Sequence, residues 1–204
     1  MAQGTTTHQG MTLFTQAGER KYLTGAERKR FYDALAVLDD PADRTFVELL
    51  YWTGCRPSEG LALTAMHIDV DDAMIVVQSL KKRGQSKGNH FRAIPVPRDF
   101  MDRLNQTHYI RAKQKFRTGG EFQPLWRISR TTAWKRVRQV MLEAEIVGAC
   151  ACAKGLRHTY GVHAALSNVP ETRIKKWLGH ESLKTTEIYL DMASPEDRSM
   201  AERM

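Results

Sequence analysis

The sequence predicts an α+β domain, mainly helical, with one small antiparallel sheet packed beside the helices. Two observations predict it. Apolar residues recur at helical spacing before residue 64 and again after residue 97, while β-rich runs are confined to residues 67–96. Hydrophobic residues make up 42% of the 204, enough to build one packed core of ordinary size.

Residues 1–21 are rich in Thr, Gln and Gly and are expected to form a flexible N-terminal arm. Thr24 and Glu27 then offer a capping box, and Phe31, Leu35 and Leu38 follow at spacings of four and three. A helix is therefore expected to about Leu38. Asp40-Pro41 ends it, and Pro41 suits the first turn of the next helix, whose stripe is Phe46, Val47, Leu50 and Tyr51 and whose end is Gly54. A short helix runs from Pro57 to about Leu63.

The period then changes. Residues 67–70 and 74–77 flank Asp71-Asp72, a turn signal between two strands, and His90 to Val96 reads as a third. Pro95 and Pro97 place that strand at an edge or a strand end. Residues 81–89 form a polar loop punctuated by glycine. Helices are expected again at about Arg98–Phe116, Ser129–Ile146, Leu156–Ser167, Pro170–Leu178 and Ser182–Leu190. Residues 117–121 read as a surface loop, and residues 194–204 as a charged tail.

Lys and Arg number 31 against 23 Asp and Glu, a formal charge of +8. Such an excess favours polyanionic partners, because cations that neutralise phosphates release condensed counterions. Three cysteines, Cys55, Cys150 and Cys152, point to a reducing compartment; Cys150-Ala-Cys152 lacks the spacing and second ligand pair of a zinc site. The N-terminus carries no apolar run of signal length, and no span of about 18 apolar residues exists, so a soluble cytoplasmic protein without a membrane partner is expected.

Four stretches set unusual polar residues beside apolar helix faces. In Thr53–Glu59, Arg56 sits at a helix start, where its planar fork can address a phosphate, and Glu59 is one turn on to orient it. Taken alone, it reads as a surface arginine in a turn. Ser86–Asn89 puts Lys87 on a hairpin loop, a position usually just solvated. Lys154 and Arg157 are three apart and share a helix face. Gly179 ends a helix and leaves His180 on a turn that need not bury it, with Tyr189 nine residues further on among polar neighbours.

In that order, TGCRPSE, SKGNHFRAIPVP, KGLRHTYGVHAAL and WLGHESLKTTEIYLD resemble the boxes of the tyrosine recombinase (phage integrase) family. The resemblance runs from about Tyr22 to Met192 and implies the tyrosine-recombinase catalytic fold over residues 22–193. It implies site-specific cutting and rejoining of double-stranded DNA through a 3′-phosphotyrosyl intermediate, with no metal and no cofactor. Tyr189 would be the nucleophile, and Arg56 and Arg157 would clamp the non-bridging oxygens of the scissile phosphate. His180 would donate to the same group, Lys87 would protonate the leaving 5′ oxygen, and Glu59 would brace Arg56. Lys154 stands where the family commonly has His. Lysine is a cation and a poor base at neutral pH, so Lys154 is read as a charge donor to the transition state, its part in proton removal left open.

Arg130, Lys135, Arg136 and Arg138, with Arg173, Lys175 and Lys176, are expected to include phosphate contacts that position without reading sequence. A DNA-bound tetramer on paired sites is implied, with a monomer or weak oligomer when free, and residues 194–204 are a candidate for the element exchanged between neighbours. A nucleoid-associated protein of prokaryotic or mobile-element origin is expected. The initial Met and the polar arm favour a naturally single-domain member over a fragment of a larger protein. Two other readings remain open: a type IB topoisomerase, and an accessory DNA-binding relative that no longer cuts.

Overall fold

The structure is a computed structural model that describes residues 12–80, 90–116, 119–190 and 200–204. Within residues 12–21, the described part of the segment expected to be a free arm, Leu13 is buried and Phe14 is bridged to Arg20; just beyond it the Leu23 N–H donates to Thr159 Oγ1 at 2.8 Å. A polar run holding a single anchoring leucine carries no periodicity that would reveal this.

Thr24 caps helix α1 (Gly25–Asp33). Its hydroxyl accepts from the Glu27 N–H, and the Glu27 carboxylate accepts from the Thr24 N–H at 2.7 Å. The helix expected to Leu38 is split: α1 passes into a 3-10 turn at Ala34–Val37, which tightens the chain while still burying Leu35 and Leu38. Asp40 accepts from the Ala42 N–H and Pro41 opens α2 (Pro41–Thr53), whose Phe46, Val47, Leu49 and Leu50 form the centre of the core. Gly54 ends α2 in the left-handed region, at φ 58°, and α3 (Pro57–Leu61) follows after a sharp turn.

The sheet has the order β1-β2-β3 and is antiparallel throughout, from β1 (Ile68–Asp69), β2 (Met74–Gln78) and β3 (Phe91–Pro95). Asp69 Oδ1 accepts from the N–H groups of Asp71 and Asp72, which closes the turn and keeps β1 short. Ile75 faces Ile94 and Val77 faces Arg92, so the buried side of the sheet contains one arginine among aliphatics. As the prolines predict, β3 lies at an edge.

One helix was expected over Arg98–Phe116; two are found, α4 (Arg98–His108) and α5 (Ile110–Phe116). Tyr109 takes φ 54° between them, and its N–H donates to the Asn105 carbonyl. Gln114 then donates to the carbonyls of Ala65 and Ile68 at 2.8 Å each, which holds α5 against the sheet side. A tyrosine in the left-handed region gives no sequence mark of the kind glycine gives.

The remaining helices are α6 (Arg130–Glu143), α7 (Ala153–Leu166), α8 (Glu171–Leu178) and α9 (Lys184–Leu190). Cys152 begins α7, its sulfur accepting from the Gly155 N–H, and all three cysteines are free thiols. The main core joins α1–α7 and the sheet; a second, smaller cluster gathers Leu13, Tyr22, Val162, Ala164, Ile174, Leu178 and Tyr189. Among the described residues no helix is long and apolar enough to cross a membrane.

Candidate active site

The site grows from four chain segments that meet where the two clusters adjoin: the bend from α2 into α3, β3, α7, and the turn from α8 into α9. Only a glycine fits at position 54, because a Cβ there would stand 2.9 Å from the ring of Tyr160 and φ is positive. The bend delivers Arg56 to the start of α3, where Glu59, fully buried, accepts from the Arg56 N–H at 3.0 Å and from its Nη1 at 2.8 Å. Glu59 Oε2, which takes the Arg56 N–H, also accepts from Arg92 Nη2 at 2.6 Å. Burial works to raise the Glu59 pKa, but Arg92 and Arg56 outweigh it and hold the carboxyl below its ordinary value.

Arg92 was not singled out from the sequence. It is 4% exposed and distributes its guanidinium among three elements: Nη2 to Glu59, Nη1 to Ser79 Oγ at 2.9 Å, and Nε to the Trp177 carbonyl at 2.8 Å. It shares the buried face of β3 with Ile94, two residues away. A charge in the core phase of a strand was the available signal, since burial of a charge demands partners.

Arg157, on the inner side of α7, donates Nη1 to the Gly54 carbonyl at 2.9 Å and Nη2 to the Leu178 carbonyl. It thereby ties the first bend to the end of α8. Burial first, and then repulsion from Arg56, bring its pKa down to about 10, so it stays a cation at neutral pH. Lys154 is one turn earlier on α7 and exposed.

His180 follows Gly179, which takes φ 65° to end α8. The sequence left this imidazole on an open turn; the structure buries it to 9% exposure, because α9 folds back and brings Thr186 Oγ1 to 3.0 Å from Nδ1. Its Nε2 has no partner among the described residues. Burial, then Arg157 and Arg56, push the His180 pKa down to about 3, so the ring is neutral at pH 7.

Tyr189, in the second cluster, is the largest of the fully buried side chains among the described residues. Its ring stacks near His180 with centroids 6.1 Å apart, and its hydroxyl lies 3.2 Å from His158 Nδ1. Burial raises the phenol to about 12, with Arg157 opposing. Gly161 lies under the ring: a Cβ there would meet it at 2.6 Å. His158 is the second residue the sequence reading missed. It neighbours Arg157 in the chain, and nothing in local spacing shows a contact to a residue 31 positions away.

The structure thus brings Arg56, Glu59, Arg157, His180 and Tyr189 together, with Lys154 at the rim. Lys87 lies outside the described residues. Of the further basic candidates, Arg130 and Lys135 are exposed on α6, whereas Arg136 pairs with Asp43 and Arg138 donates to the Ala151 carbonyl. Arg173 and Lys176 are exposed on α8, and Lys175 and Lys176 line a cleft that also contains Arg92, Gly179 and His180. Among the described residues no group of three His, Cys, Asp or Glu side chains is placed to hold a metal ion.

The sequence of residues 21–195 matches the model of the phage integrase family. The chain belongs to this family. A relative within reach of ordinary alignment is the tyrosine recombinase XerD of Staphylococcus saprophyticus, 28% identical over 174 residues, which are 81% of this chain and 55% of that protein. The chain spans about half the length of the curated relatives it matches. Family folds agree as well. The site-specific recombinase XerH, solved bound to difH substrate as a pre-cleavage complex, superposes with a TM-score of 0.71 at 16% identity, covering 94% of this chain and 59% of that one. The catalytic domain of bacteriophage HP1 integrase gives 0.63 at 20% identity, covering 91% of this chain and 95% of that domain. The arrangement of a mainly helical body with a three-stranded antiparallel sheet is therefore the phage integrase catalytic fold.

Proposed function

We propose that this chain is the catalytic part of a site-specific recombinase that cuts and rejoins double-stranded DNA through a 3′-phosphotyrosyl link on Tyr189. The observation that carries the reading is the convergence of two guanidinium groups, and an imidazole nitrogen without a partner among the described residues, beside one phenol. A phosphodiester in transfer spreads negative charge over its non-bridging oxygens, and fixed donors that match this charge lower the barrier. Arg56 and Arg157 are the clamp, His180 donates from Nε2, and Lys154 adds charge from the rim. Lys87, which falls between β2 and β3 in the sequence, protonates the leaving 5′ oxygen. These groups supply the charge that a magnesium ion supplies elsewhere, so the reaction proceeds without metal. Glu59 fixes Arg56 without touching substrate.

Tyrosine suits the chemistry because the phenolate both attacks and departs. The link it forms conserves the energy of the broken bond, and a 5′-hydroxyl from a second strand reverses the step. Exchange between two sites calls for four active protomers, so a DNA-bound tetramer is part of the proposal, with the exposed cations of α6 and α8 positioning the duplex. Incubation of the full-length protein with a nicked duplex built from the DNA flanking its gene tests the reading. An SDS-resistant protein–DNA adduct that is absent in Tyr189→Phe is expected. Binding without any adduct would instead identify an accessory protein, and repeated relaxation of a plasmid lacking paired sites a topoisomerase.

A further inference from the structure

We propose that His158 is a catalytic residue, the base that takes the proton of the Tyr189 hydroxyl as the phenol attacks phosphorus. The inference rests on the reading of Tyr189 as the nucleophile. The phenol has one proton, and His158 Nδ1, 3.2 Å away, is the acceptor the described residues offer it. His158 is itself buried, with Nε2 unpartnered among the described residues. Were Nδ1 the donor, both the phenol proton and the Nε2 lone pair would be buried without partners. With Nδ1 as acceptor, the phenol proton is satisfied and one orphan remains, the Nε2–H, which is the lesser penalty.

The step balances within the site. The bond from Tyr189 Oη to phosphorus forms while the bond from phosphorus to the 5′ oxygen breaks, and the phenol proton passes to Nδ1. The leaving oxygen takes a proton from an ammonium group. Rejoining runs the same path backwards, the imidazolium returning its proton to Oη as the 5′-hydroxyl displaces it. The groups that face His158 explain why this base is held in check before DNA arrives. Lys154 and Arg157 act on it from its own helix and Lys21 from the N-terminal segment, with Tyr189 and His180 supplied by α9 and the turn before it. Burial, then those cations, bring its pKa down to about 4. A phosphate seated against Arg157 offsets part of that positive field and strengthens the base when the substrate is in place.

The competing candidate is Lys154. Its side chain is exposed, and its influence in the structure falls on His158. Lys154 therefore adjusts the base without replacing it.

The test compares wild type with His158→Asn, whose side-chain oxygen can accept from the phenol but cannot carry the proton away. Adduct formation on the nicked duplex should fall on the order of 10²-fold, with DNA binding unchanged. Replacing Tyr189 by a fluorinated tyrosine, whose phenol loses its proton readily, should then restore cleavage to His158→Asn. A structural role for His158 would show no such rescue. In the wild-type protein, ¹⁵N-histidine spectra should show His158 neutral before reaction, with its proton on Nε2 and Nδ1 free to accept from the phenol. Cleavage by His158→Asn at the wild-type rate, failure of the fluorinated residue to rescue, or a proton on Nδ1 of the neutral ring overturns the proposal. Absence of an adduct in wild type would instead overturn the recombinase reading itself.

Discussion

The Arg92 guanidinium meets the Glu59 carboxylate at 2.6 Å with both side chains withdrawn from solvent. The contact joins the edge strand of the sheet to the loop that presents Arg56. Arg92 also holds the Trp177 carbonyl, so three of the motif-bearing segments converge on a residue that contacts no proposed substrate atom.

Replacing Arg92 by Met should therefore be costly. Removing one partner of a buried ion pair costs up to about 3–5 kcal/mol, because the remaining charge loses compensation, and here Glu59 would be left with Arg56 alone. Urea denaturation should show a loss in that range, and Arg56, freed from a fixed Glu59, should cleave poorly even where the variant remains folded. A loss under about 1 kcal/mol would mean that the pair is not a structural strut.

Thr186 sets the state of His180. Because the ring is neutral at pH 7, Nε2 can donate a hydrogen bond only if Nδ1 accepts one, and Thr186 Oγ1 is its partner at 3.0 Å. Thr186→Val keeps the volume and removes the donor. The expected outcome is about tenfold slower adduct formation, consistent with the loss of one hydrogen bond, with unchanged DNA affinity and recovery in Thr186→Ser. Equal rates in the Val and wild-type proteins would remove Thr186 from the mechanism.

Gly161→Ala addresses the proposed nucleophile, Tyr189, from below. The added methyl would meet the Tyr189 ring at 2.6 Å in a closed cluster, so the ring must shift. Overpacking of this kind costs about 1–3 kcal/mol, and the displaced hydroxyl should leave His158. Gly25→Ala, at a helix start where a Cβ meets nothing within 4 Å, is the control and should leave the thermal midpoint unchanged or slightly raised. Comparable melting of the two variants would count against the packing described for Tyr189.

Three buried histidines make the fold sensitive to acid. His108, beside Thr45, and His158 are each pushed down to about 4 by burial, and His180 to about 3. In the unfolded chain each titrates near 6.5. Between those values the unfolded state binds more protons, so stability is complete above about pH 6.5 and declines as pH falls toward 4 and 3. Denaturation midpoints measured from pH 7.5 to 4.5 should decrease over the lower part of that range. A flat profile would show that these rings are not neutral when folded.

Much of the fold was legible in local chemistry. The capping pair Thr24 and Glu27, the Asp40-Pro41 start and the Gly54 stop all act within a few residues of themselves, and each sits where the sequence predicts. The break at Tyr109 was not legible, because it is imposed by Gln114 reaching back to Ala65 and Ile68 across the tertiary structure. The same division holds at the site. Arg56 and Glu59 are three residues apart and could be paired on paper, while His158 with Tyr189 and Arg92 with Glu59 meet through folding alone. The burial of His180 belongs with these, since it depends on α9 turning back over it.

Arg157 lends itself to one last deduction. Its two terminal nitrogens are fastened to the carbonyls of Gly54 and Leu178. Freezing so long a side chain forfeits roughly 1.5–2 kcal/mol of rotational freedom, and here the folding reaction bears that loss before any nucleic acid is encountered. If Arg157 clamps the scissile phosphate as proposed, that phosphate would meet a rigid socket, and the entropy of organising it would no longer be subtracted from the encounter.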